Sequence, residues 1–328
     1  MQRIGVVRGG ISKEYDISLA SGGEVISALR KCGMTPVDIF ISKDGQWHSG
    51  GLPIAPEDIP NKVDCIWNAL HGDGGEDGTL SAYFESRGVP VIGSGYHASE
   101  ALHNKIRAKE LFKQFDIKTP QHEYMPEYNE TLFPGTKEEY AARTAQRVWQ
   151  SFPPPWVIKP LASGSSVGVM FAKTFSQLED ALLKVVVSEG DWMIEEYIQG
   201  REISVGIVEG LRGKKHYTLI PNEILKKDPV LFYDERMYGT YEARPLPHRD
   251  ATLKEKLVNI MTHLFEWLGI RHHAVGDFVV TPRGIYLLEI DTIPAFHQDS
   301  LFVRNLADTG ITLTEFVQHQ IDVAKNRK

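Results

Sequence analysis

The stretch LLEIDTIPAFHQDS at 287–300 carries two carboxylates, Glu289 and Asp291, two residues apart in an apolar segment that reads as a strand running into a proline turn. Side chains alternate along a strand, so both acids face the same way. A third acid, Asp277, lies in AVGDFVV, the strand-like segment just before, and the turn TPRG predicts a hairpin that brings it beside the pair. Three hard oxygen donors at neighbouring strand ends suit Mg²⁺, with Mn²⁺ as an alternative ion, completed by substrate phosphates. Exposed strand-end acids are the plainer reading. The apolar neighbours weigh against it, because unpaired buried carboxylates are costly.

Other stretches offer matching chemistry. VIKPLASGSSVGV (157–169) is a strand ending in Lys159, then a loop of small residues including Ser165 and Ser166. Such a loop lets backbone N–H groups approach phosphate oxygens, and the lysine adds a point charge. It lacks the GK[ST] ending of a Walker loop and also reads as a plain hairpin loop. In MIEEYIQGREISV (193–205), Glu195, Glu196 and Glu202 flank a short connection and could accept hydrogen bonds from adenine or ribose; a solvated charged turn is an equal reading. VVRGGISKEYDISLASG has a glycine pair after a strand but no G-x-G-x-x-G, and a helix is expected from about Ser12 or Lys13. That places Glu14 in a first helical turn, either holding an ammonium group or as an ordinary acid at a helix N-terminus. LHGDGGEDGTL (70–80) is a loop able to surround a polar ligand; it offers His71 as a candidate catalytic residue, with a satisfied structural histidine as the alternative, and Asp77 is suited to capping the next helix.

The elements that must position these residues fall into three parts. In 1–96, strands at 3–7, 36–40, 64–70 and 90–92 alternate with helices at 14–31 and 78–87, which predicts a parallel, Rossmann-like α/β domain. Gly33 is placed for a left-handed helix cap. The part 97–190 opens with a long charged helix, HASEALHNKIRAKELFKQF, followed by the extended KTPQHEYM, a loop, a helix at 136–150 and a strand after the triple proline 153–155. The remainder, 191–328, alternates strands whose junctions suggest antiparallel pairing, then a helix at 251–268, the acidic hairpin, and helices at about 300–308 and 313–326.

A chain of 328 residues exceeds one hydrophobic core, and 42% hydrophobic with 24% charged residues is an ordinary globular composition. The net charge of −7 gives no reason to expect nucleic acid, no apolar run can cross a bilayer, and the N-terminus lacks signal-peptide character, so a cytoplasmic location is expected. Cys32 and Cys65 have no metal or redox spacing and read as reduced thiols.

Taken together the blocks GGISKEYDISLASG, LHGDGGEDGTL, VPVIGSG, NKIRAKELF, KPLASGSSVGV, EEYIQGREISVG, LLEIDTIP and DSL resemble, in order and almost end to end, the ATP-grasp superfamily, most closely the D-alanine:D-alanine ligase family. The resemblance implies an ATP-grasp fold and a reaction in which ATP phosphorylates a carboxylate and an amine attacks the acylphosphate, within peptidoglycan precursor synthesis, in a homodimer. It implies Lys105 and Lys159 at the nucleotide phosphates with Ser166, and Glu195, Glu196, Ile198 and Glu202 around adenine and ribose. Asp277, Glu289 and Asp291 would hold the metal, Glu14 the first substrate's ammonium with Ser165 as its partner, and Ser300 with Leu301 the second substrate's carboxylate. The chain departs from the family at the acyl centre. Val275 stands where an arginine is usual, and Asp291, Ala295, Phe296 and His297 replace Asn, Gly, Met and Thr. Within 231–247 either Arg236 or Arg244 replaces the loop lysine, and Ser81 with Ala82 replaces Gln-Gly as a packing change. These departures imply slow D-alanine ligation, with His297 or a loop arginine taking part of the missing role. A ligase for another acid or amine, and a non-catalytic nucleotide binder, remain open.

Overall fold

The computed structural model describes residues 2–226 and 228–327; Met1 and Lys328, at the outer limits of the expected first and third parts, and Lys227 lie outside it. The first part contains β1 (Arg3–Gly9), α1 (Tyr15–Lys31), β2 (Thr35–Ile41), β3 (Trp47–Ser49), β4 (Leu52–Pro53), β5 (Cys65–Asn68), α2 (Thr79–Glu85) and β6 (Val91–Ile92). Its sheet has the order β4-β3-β2-β1-β5-β6. The four expected strands pair in parallel, and β3 and β4 add an antiparallel edge too short to leave an alternating pattern in the sequence. Strand order reverses at β1, so the loops after β1 and β5 stand side by side at the carboxyl edge, where ligands bind in such sheets. Gly33 takes a φ of 70° past the end of α1, and both cysteines are free thiols.

The long charged helix expected at 97–115 is instead two, α3 (Tyr96–His103) and α4 (Lys105–Gln114). Asn104 between them is extended, and its side chain accepts the N–H of Arg107 at 3.1 Å. An asparagine cap of this kind starts a new helix. Lys105, as its first residue, faces the central cleft. There follow β7 (His122–Met125), α5 (Lys137–Ser151), β8 (Trp156–Pro160), β9 (Met170–Ala172), α6 (Phe175–Val185) and β10 (Trp192–Glu196). The antiparallel sheet β7-β10-β8-β9 has its own core with α5 and α6, including Trp156, Ile158, Leu178 and Ile194. The sequence reading omits α6, although Leu178, Leu182 and Val185 mark its apolar stripe and Thr174 caps it.

The last part holds β11 (Arg201–Glu209), β12 (His216–Thr218), β13 (Asn222–Leu225), α7 (Tyr233–Tyr238), β14 (Glu242–Pro245), α8 (Ala251–Trp267), β15 (His273–Thr281), β16 (Gly284–Asp291), α9 (Leu301–Asp308) and α10 (Leu313–Asn326). Its antiparallel sheet runs β14-β13-β11-β15-β16, with β12 also on β11. One core joins this sheet to the first: Ile4 and Trp67 pack with Val275, Phe296, Phe302 and Phe316. The chain passes from the middle sheet to the last between Glu196 and Arg201.

Candidate active site

Two adjoining cavities open between the middle sheet and the other two. Lys159, Ser166, Glu195, Glu196, Ile198 and Glu202 line one. Ser165, Asp291, Ser300 and Leu301 line the other, together with Val275, Ala295 and His297. Lys105, Arg236, Asp277 and Glu289 face both and form the seam.

In the first cavity the charges are paired. Glu195 lies between Lys109 at 2.6 Å and Lys159 at 2.7 Å. Burial would raise its pKa, yet the two ammonium groups hold it down to about 2. Lys159 is held above its usual range against burial, chiefly by Glu195 and Glu289, whereas burial wins at Lys109 and lowers it. Lys226 pairs with Glu202. Lys109 is missing from the sequence reading. Its signal was the four-residue step from Lys105, which puts both lysines on one helix face.

The acidic hairpin forms with Asp277 opposite Glu289 and Val275 opposite Asp291, an irregularity after Asp277 leaving the acids on one face. The three carboxylates share a wall but do not converge: among the described residues the group whose donor atoms all lie within 4.8 Å of one another is Glu14, His71 and Glu76. Cations stand between the hairpin acids instead, Arg236 at 3.6 Å from Asp277 and Lys105 at 3.8 Å from Glu289. Asp277 Oδ1 is buried without a hydrogen-bond partner. Burial raises Asp277 to about 6, and burial with Glu76 raises Asp291 to about 8. Glu289 is instead held below its usual range, against burial, by Lys105, Lys159 and Arg236; an orphaned Asp277 oxygen on a wall with two carboxylates whose charge burial disfavours fits a divalent cation.

Glu14 immediately precedes α1, which starts at Tyr15 rather than near Ser12 or Lys13, and its side chain does not cap that helix. Its Oε1 instead accepts the N–H of Gly164, 150 positions away, at 2.9 Å, and the Ser165 hydroxyl also bonds it. Ser165 and Ser166 hold φ of 50° and 59°, which bends the loop onto this contact. Burial, reinforced by Glu76, raises the Glu14 pKa, and its Oε2 is buried without a partner. His71 lines neither cavity: its Nδ1 meets Glu76 Oε1 at 3.2 Å and its Nε2 meets Ser21 Oγ at 3.3 Å. Despite burial, Glu76 raises it. The same carboxylate lies 3.5 Å from His103, lifted to about 9 by Asp73 and Glu76 against burial. The tight Glu14, His71, Glu76 group is therefore tied into a hydrogen-bonded network, in which His71 and His103 share the Glu76 carboxylate, rather than a set of free metal donors. Gly78, not Asp77, occupies the cap position of α2; Asp77 still accepts the Thr79 N–H at 2.9 Å.

Ser300 caps α9, its Oγ accepting from Val303 N, and Leu301 begins the helix. Of the two loop arginines, Arg236 on α7 reaches the seam, donating from Nε to Ser166 Oγ at 2.9 Å, while Arg244 pairs with Glu223 at the sheet edge. Gly239 ends α7 at a φ of 61°, where a Cβ would lie 2.5 Å from Asp299 Cβ; only glycine seats the loop there. Ser81 is buried and donates to the Ser94 carbonyl, consistent with packing.

A cleft between two antiparallel sheets, closed by a small-residue loop after a strand-end lysine and floored by an acidic hairpin, has the ATP-grasp architecture. The structure superposes on D-alanyl-alanine synthetase A from Vibrio cholerae with a TM-score of 0.80 at 22% identity, covering 98% of each chain. It also superposes on the D-alanine–D-alanine ligase from Bacillus anthracis complexed with ATP, with a TM-score of 0.75 at 24% identity over 100% of each. Residues 111–322 match the family described as D-ala D-ala ligase C-terminus and residues 3–59 that described as D-ala D-ala ligase N-terminus. The D-alanine–D-alanine ligase of Geobacter sulfurreducens is 33% identical over 96% of this chain and 92% of its own length. The chain belongs to the D-alanine–D-alanine ligase family.

Proposed function

We propose that this chain joins two molecules of D-alanine with ATP, releasing ADP and phosphate, in the supply of peptidoglycan precursors. The observation that carries the reading is the closure of the Ser163–Ser166 loop onto Glu14, which sets an unpartnered carboxylate oxygen behind the seam of the two cavities. The first substrate's ammonium pairs with that oxygen beside Ser165, which directs its carboxylate toward the seam. Lys105, Lys159, Ser166 and Arg236 bind the nucleotide phosphates; Glu195, by gripping Lys159, positions it, and Glu196, Ile198 and Glu202 surround the adenosine. Asp277, Glu289 and Asp291 hold Mg²⁺, which when bound neutralises phosphate charge. His71 positions Glu76 and through it the Glu14 pocket. The second substrate's carboxylate meets the N-terminus of α9 at Ser300 and Leu301.

Val275 and Ala295 at the acyl centre favour one second reading, the same reaction with a different acceptor. We also infer a cytoplasmic homodimer with three domains, dividing the last two between Glu196 and Arg201, where the chain changes sheet. The test is ADP release over a panel of D- and L-amino acids and hydroxy acids, with products identified by mass. D-alanine alone supporting release and yielding the dipeptide is expected; release only with another acid selects the second reading. Calorimetry on Glu289→Gln should show weakened MgATP binding with an unchanged fold, and unchanged affinity would remove the metal assignment.

A further inference from the structure

We propose that His297 is the base that takes the proton from the amine of the second substrate, an assignment that rests on the ligase reading above. An amino acid arrives as an ammonium ion, which has no lone pair. Before it can attack, one proton must pass to a group in the acceptor cavity. The imidazole nitrogen takes that proton; the amine nitrogen then bonds to the acyl carbon, the carbon–oxygen bond to phosphate breaks with its electron pair on phosphate, and phosphate takes the second N–H proton.

The cavity holds few candidates. Glu76 is shared by His71 and His103, whose ring nitrogens are engaged with it. Glu14 is committed to Gly164 and the first ammonium. Asp277, Glu289 and Asp291 form the wall assigned to the cation, and Lys105 and Arg236 are donors only. His297 differs from all of these. It lines the cavity with Ser300 and Leu301, and its carbonyl accepts the Ser300 N–H at 2.9 Å, so it belongs to the turn that presents the proposed carboxylate site. Among the described residues its imidazole makes no hydrogen bond. The charged groups facing it are His71, Asp299 and Arg304. Burial, then His71, hold its pKa below the usual imidazole range, against Asp299 and with Arg304. It is therefore neutral near pH 7 with a lone pair free.

The experiment compares two nucleophiles. Hydroxylamine is neutral at pH 7, needs no base, and traps an acylphosphate as a hydroxamate. In His297→Gln, dipeptide formation should fall about 10²-fold at pH 7, at the low end for loss of a general base. Hydroxamate formation with ATP and D-alanine should stay within about twofold. The dipeptide deficit should shrink as pH rises and the amine loses its own proton, and His297→Ala should regain activity with added imidazole. Undiminished dipeptide synthesis at pH 7 overturns the assignment. Equal loss of dipeptide and hydroxamate also overturns it, placing His297 in acylphosphate formation or cavity shape. Absence of hydroxamate from the unaltered protein would instead defeat the ligase reading itself.

Discussion

The two cavities meet at Asp277 and are built on opposite plans. On the Lys159 side each buried acid faces a base: Glu195 is gripped by two lysines and Glu202 by Lys226. On the Ser300 side the strand row offers Val275, where the family has an arginine, opposite Asp291, with Phe296 and Phe302 fully buried in the core that Val275 shares. The paired side is preorganised for phosphate whatever carboxylate is being activated. The Ser300 side leaves the fate of the acyl group to two residues outside the hairpin, Arg236 on a short helix and His297 in the following turn.

The strongest way to break this contrast is to unpair the charged side. Glu195→Ala leaves Lys109 and Lys159 buried with only the more distant Glu289 as counter-charge, and removing one partner of such a group costs about 3–5 kcal/mol. Urea denaturation should show that loss, with nucleotide affinity falling alongside it. A stability change below about 1 kcal/mol would mean water or rearrangement satisfies the lysines.

Arg236→Met tests whether the seam depends on a cation brought by α7. Loss of a preorganised donor to developing charge typically costs about 10²–10³ in turnover. The same variant should stay folded, because its helix contributes no buried residue, with a modest loss of stability as buried Asp277 gives up its partner at 3.6 Å. Turnover unchanged by this substitution, with Arg244→Met impaired instead, would reverse the choice between the two arginines.

A smaller effect, on the order of 2 kcal/mol, should come from the His103 network and should depend on pH. The folded pKa of about 9 lies above the ordinary imidazole value, so its stabilisation is fully present below about pH 6.5. It is lost as pH rises through 9. Glu76 has the opposite sign, its depressed pKa giving stability that persists above the usual carboxylate range and is lost in acid. The melting temperature of His103→Gln should therefore lie below that of the unaltered protein at pH 6 and approach it by pH 10. A constant gap across that range would show that His103 acts by packing alone.

The smallest change sharpens the Ser300 side. Val275→Arg with Ala295→Gly sets a guanidinium on the face shared by Asp277 and Asp291. Dipeptide formation should rise severalfold, up to about the tenfold that 1.4 kcal/mol represents. Stability should fall by about 1–3 kcal/mol, since Val275 is 8% exposed within the shared core. A loss of activity in a folded double variant would mean that Arg236 and His297 already fill the corner.

The fold was open to reading wherever a pattern was local. Strand alternation and turn residues placed the parallel sheet and the acidic hairpin, and spacing put Asp277 beside Glu289. Where one residue overrode the pattern the reading ran on: Asn104 splits a helix whose flanks are both strongly helical, because its side chain competes for an N–H that continuation would need. The short strands β3, β4 and β14 and the six-residue α7 were too brief to show a period.

Sequence alone determined which groups were available, carboxylates two apart on a strand, a lysine before a small-residue loop, histidine and glutamate among glycines. These follow from chemistry and from periods of two and 3.6 residues. Only the tertiary structure decided how they are shared. Gly164 donates to Glu14 across 150 positions, Arg236 rather than Arg244 crosses to Asp277, and His71 turns from the cavity to hold Glu76. No local pattern encodes such pairings, because burial raises the cost of every unpaired charge and the fold then selects partners by proximity in space.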